Sequence, residues 1–134
     1  MKHLVKQSVI TFVLAILLTA CASTETVKEA QGQGASRSYE NAYESVFNAA
    51  IAAAKAKELE VVESDKNSGR LVFSKGVTLW SWGERIAVFI KPVNSKTTQV
   101  EVVSKAVVAP LNFPPDWQNI LLEQIASELQ TGKY

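Results

Sequence analysis

An α+β domain built on one antiparallel sheet is what this sequence predicts, on three observations. Apolar residues recur at helical spacing after Ser38, four short segments with strand-like composition follow with turn residues between them, and a second helical period opens at Asp116. The order α-β-β-β-β-α packs most simply as a two-layer sandwich, with a four-stranded antiparallel sheet and both helices on one of its faces.

The first helix is marked by Tyr39, Ala42, Tyr43, Val46, Phe47, Ala50 and Ala54, with the Ser38 hydroxyl as its cap. Lys55 and Lys57 suit the negative end of its dipole, and the helix should stop near Lys57. Its alanines allow close approach to the layer beneath. Tyr39 and Tyr43 read first as core and second as a ligand-stacking pair.

Leu59 to Ser64 and Arg70 to Lys75 form a hairpin about the Asp65-Lys66-Asn67-Ser68-Gly69 turn. Glu84 to Lys91 and Thr97 to Val108 form a second one, with Pro92 to Lys96 as its turn. Ile86, Val88, Ile90, Val100 and Val102 share one face. The other face carries Val62, Val72, Ala87, Phe89 and Val103 among charged residues, a mixture that implies partial cover by a loop, a tail or another protein. Pro110, Pro114 and Pro115 carry the chain between layers. Asp116 then caps a helix whose stripe is Trp117, Ile120, Leu121, Ile125 and Leu129, and Gly132 ends it.

Before this domain stands a targeting segment. Lys2 and Lys6, the apolar run Val9 to Leu18 and the small pair Thr19-Ala20 follow the order of a secretory signal. As a helix the run reaches about 15 Å, half of a hydrocarbon layer of about 30 Å, so it is no permanent span. Leu18-Thr19-Ala20-Cys21 resembles the lipobox of bacterial lipoproteins. That resemblance implies cleavage before Cys21, a diacylglyceryl thioether on its sulfur and acylation of the new amine. Several chains on one residue would anchor the protein firmly where a single chain would not. Ala22 rather than aspartate after the cysteine resembles lipoproteins exported to the outer membrane, facing the periplasm. Ordinary cleavage after Ala22 is the competing reading, and it discards the only cysteine.

These divisions give residues 1–20 as signal peptide, 21–37 as lipidated cysteine and flexible tether, and 38–131 as the small domain. Residues 22–36 hold few apolar side chains, and as a flexible tether they would reach about 20 Å on average and about 50 Å when taut. The architecture is similar to the helix-grip modules of envelope lipoproteins. That likeness implies a fold and no function.

Removing Lys2 and Lys6 from the 14 basic side chains leaves 12 against 13 acidic ones, without clusters, which speaks against nucleic-acid binding. The single histidine, His3, goes with the signal. No metal-ligand spacing, phosphate loop or serine elbow is present, so neither enzymatic activity nor a cofactor is expected. The unusual stretch is Gly76-Val77-Thr78-Leu79-Trp80-Ser81-Trp82-Gly83, an apolar connection where turns are normally polar. In an extended chain Trp80 and Trp82 share one side and Leu79 lies on the other. Three roles remain open for it: filling the core, entering a lipid interface, or binding an envelope protein. The expected function is that of a lipid-anchored, non-enzymatic protein-interaction module near the outer membrane with an envelope protein as its partner, and binding of a small apolar ligand or lipid between sheet and helices is the alternative. A dry cavity under the tyrosines would favour that alternative.

Overall fold

The computed structural model describes residues 2–3, 24–79, 81–107 and 114–134. The α+β class holds, but the sheet has five antiparallel strands rather than four. They are β1 Ala35–Tyr39, β2 Glu60–Asp65, β3 Arg70–Lys75, β4 Glu84–Asn94 and β5 Thr97–Ala106, in the spatial order β1-β5-β4-β3-β2. Two helices, α1 Tyr43–Ala56 and α2 Trp117–Gln130, pack side by side on one face.

The added strand corrects the expected start of α1. Ser38 is not its cap: it lies in β1 opposite Gln99, and Ala42 occupies the N-cap position without a side-chain bond. Tyr39 belongs to the strand too, reaching the core from the sheet rather than from the helix. β1 has a polar alternation with only Ala35 and Tyr39 apolar, and its partner β5 lies far along the chain, so local periodicity favours extending the helix instead. The end of α1 falls as expected, with Lys57 as its C-cap.

Alternation on the remaining strands builds the main core. Leu71, Phe73, Ile86, Val88, Ile90, Val100 and Val102 face the helices and meet Val46, Phe47, Ala50, Ala53, Leu121 and Ile125. The alanines of α1 let the two helices lie close, and all of these side chains are buried. Asp116 caps α2 by accepting from the Asn119 N–H at 3.2 Å. The second hairpin turn is tighter than expected, since Pro92 is paired within β4 opposite Thr98 and only residues 95–96 turn. The Ile90 N–H points to the β3 side, where it meets Gly69 O. Pro92 points its ring nitrogen to that same side beyond the end of β3, so its missing N–H costs the ladder nothing.

The mixed outer face is covered by a tail. Residues 24–29 are helical and lie on it, with Val27 and Ala30 buried against Val72, Ala87, Phe89 and Val103. Glu101 accepts from the N–H groups of Gly32 and Gly34, and Lys28 bridges to Glu63 at 3.1 Å. The flexible tether expected over residues 21–37 is thereby corrected over 24–37: two apolar side chains suffice there because the sheet offers a matching apolar patch. Val62 does not belong to that patch, because β2 shifts register between Val61 and Glu63 and leaves Val62 exposed at the edge.

Candidate functional site

The connection from β3 to β4 is the surface that the sequence singles out, and its described residues lie at one end of the sheet. Val77 is 69%, Leu79 96% and Trp82 59% exposed, against a core whose members are almost fully covered. Trp80 and Cys21 lie outside the described residues. The chain here is turned rather than extended: the Thr78 N–H donates to Ser81 O at 2.8 Å, and Gly83 takes a φ of 104°, open to glycine at little cost. Leu79 and Trp82 are therefore both presented outwards.

What holds this tip was missed in the sequence. Ser81 is buried and donates its hydroxyl proton to the Glu84 carboxylate, itself buried at the start of β4. The Gly83 N–H donates to Ser81 Oγ at 3.0 Å, and the Val107 N–H to Gly83 O at 2.9 Å. The Ser-x-x-Glu spacing was the available signal, since it sets a hydroxyl and a carboxylate on either side of the glycine turn, within reach of each other. Glu84 Oε2 has no partner among the described residues. The turn is thus fastened inwards by its polar side chains and shows solvent its apolar ones, the reverse of an ordinary turn. Val107, 40% exposed, adds to the same end of the sheet.

Between sheet and helices the core side chains form one continuous buried cluster. A cleft of about 320 Å³ lies elsewhere, at the opposite end of the sheet, bordered by Tyr43, Lys66, Gly69 and Lys91 and open to solvent. Tyr43 does not stack on anything there: it packs on Phe47 with ring centroids 5.9 Å apart and donates its hydroxyl to Lys66 O at 2.6 Å. The Tyr39 hydroxyl donates to Leu122 O at 2.7 Å, and burial pushes its pKa up to about 12, opposed by nearby Arg37. Both tyrosines are thus committed to structural bonds.

Among the described residues no group of three His, Cys, Asp or Glu side chains is placed to hold a metal ion. Among them too, no helix is long and apolar enough to cross a membrane. The acids with shifted pKa values sit in structural pairs. The Glu63 carboxyl is held below the usual carboxylate range by the Arg70 guanidinium, with Lys28 adding to it, and Glu123 is held below it by Arg37. No protein-family model matches the chain, and comparison with curated proteins gives no match either.

Proposed function

We propose that this protein is a lipid-anchored cell-envelope module that works by contact rather than catalysis. Cys21 is its anchor, the outer membrane facing the periplasm its place, and the Val77, Leu79 and Trp82 tip its contact surface for a component of that envelope. The observation that carries the reading is the inverted turn. Three large apolar side chains are held in solvent by a buried Ser81–Glu84 bond, an arrangement that costs solvation unless something covers it. A continuous buried cluster between sheet and helices supports surface contact over an enclosed ligand.

The anchor is tested with Cys21→Ser. The variant should accumulate as an uncleaved precursor, and the wild-type mature protein should carry the added mass of its acyl chains. Normal processing of the variant, together with an unacylated wild-type mass, would sink the proposal.

A further inference from the structure

Row by row, the outer face of the sheet changes character towards the tip. The row of Val72, Ala87 and Val103 is buried in one cluster with Val27 and Ala30. The next row on that face is Ser74, Arg85 and Lys105, which the cluster does not include: Arg85 is half-buried and Lys105 exposed. One step farther the Val107 N–H carries the pairing on to Gly83 O, and Val107 is exposed. A strip of two cations and a valine therefore runs from the covered row to the foot of the β3–β4 connection.

The two cations are unmatched. Arg85 and Lys105 stand directly opposite each other in the ladder, where like charges repel. All 13 acidic side chains of the chain are among the described residues, and neither cation forms an ion pair with any of them. The Arg85 Nε is buried with no hydrogen-bond partner among those residues, so this side chain is packed in position without a carboxylate to fork onto. Lys75, at the end of β3, faces the helices instead and holds its Nζ 6.0 Å from the centre of the Trp117 ring. Of the three cations on these strand ends, the two unanswered ones thus share the outer face.

We infer that the tip docks on a protein partner that brings a carboxylate to Arg85 and Lys105 and an apolar side chain to Leu79 and Trp82. This names the partner chemistry of the contact surface proposed above and rests on that reading. A carboxylate set there accepts from both cations and relieves their repulsion, and the apolar contacts beside it exclude water from the bonds. A flat anionic surface is the poorer match. It meets the tip from beyond the end of the sheet, whereas the cations lie back along one face, with Arg85 packed in place.

The test uses the full-length protein in intact envelopes, with a photoreactive benzophenone amino acid in place of Leu79 and, as the control, in place of Val93, exposed near the opposite end of the sheet. Crosslinked peptides are sequenced by mass spectrometry. Position 79 should join a protein segment that carries Asp or Glu beside the attachment point, and position 93 should not join it. In Lys105→Glu the yield of that product should fall about tenfold or more, because the new carboxylate repels the partner's and pairs with Arg85 itself. The same substitution puts an opposite pair in place of a like pair across β4 and β5, so the urea midpoint of the variant should match or exceed the wild type's. A lower midpoint removes the repulsion on which the inference stands. A protein product without acidic residues, or one that persists undiminished in Lys105→Glu, leaves the contact surface standing and overturns the carboxylate. Products with lipid alone overturn the protein partner, and equal yields at positions 79 and 93 remove the contact surface and this inference with it.

Discussion

Tyr39 shows how one side chain ties the edge strand to the second helix through the core. It leaves the edge strand β1, enters the main core and ends on the Leu122 carbonyl of α2, where burial raises its pKa to about 12. The folded state therefore holds the phenol proton more tightly than the unfolded chain, whose phenol titrates near 10. The stability this contributes is complete below pH 10 and is lost as the pH rises from 10 to about 12. Tyr39→Phe should cost about 1 kcal/mol at neutral pH through the lost hydrogen bond. Its unfolding midpoint should also fall less steeply than the wild type's between pH 10 and 12. Parallel urea titrations of the two proteins across that range check both statements.

At the scale of the element, the N-terminal segment is the part with the least margin. Val27 and Ala30 are its buried apolar contributions, and Gly34 lets it lie against β5, since a Cβ there would stand 2.1 Å from Val102 O. Lys28 and Arg70 converge on Glu63, whose carboxyl is held low first by Arg70 and then by Lys28. A lowered carboxylate stabilises the fold above the usual carboxylate range, and that contribution disappears as the pH falls through and below it. Acid should therefore loosen residues 24–30 before the main core. Protection of the Val27 and Ala30 amides, measured against intrinsic exchange, should fall as the pH drops below the usual carboxylate range while Val88 stays protected. Glu63→Gln should show the faster exchange already at neutral pH.

For the whole molecule, the two-layer packing makes the Phe47 ring part of one cluster with Val88 on the sheet. Phe47→Ala should destabilise by about 3 to 5 kcal/mol, measured by denaturant unfolding, and an unchanged midpoint would contradict the packing. This layer was legible in the sequence because its signals are local. Hairpin alternation, the Asp116 cap and the alanine-rich face each announce themselves within a dozen residues. β1 was not legible, since its pairing with β5 spans some sixty residues and its own alternation is polar. The outer layer was half legible. Val72, Ala87, Phe89 and Val103 advertised an unmet apolar face, yet the cover is two small side chains on a polar segment, which composition alone reads as unfolded. At the tip, the wrong polarity of the turn was legible and the exposure of its apolar side chains was one of the readings it allowed, while the Ser81–Glu84 bond beneath it was hidden by reading Glu84 only as the first residue of a strand.

The docked segment also decides how the chain bears tension. A pull on residues 24–30 within the plane of the sheet loads them across contacts that reach from Glu63 on β2 to Glu101 on β5. The Lys28–Glu63 bridge, the buried Val27 and the two amides on Glu101 must then yield together in shear, not one after another as in a zipper. Drawing them outwards from the sheet face peels the same contacts singly. A domain held in this way is a directional fastener, firm when dragged across the face of its sheet and easily released when lifted.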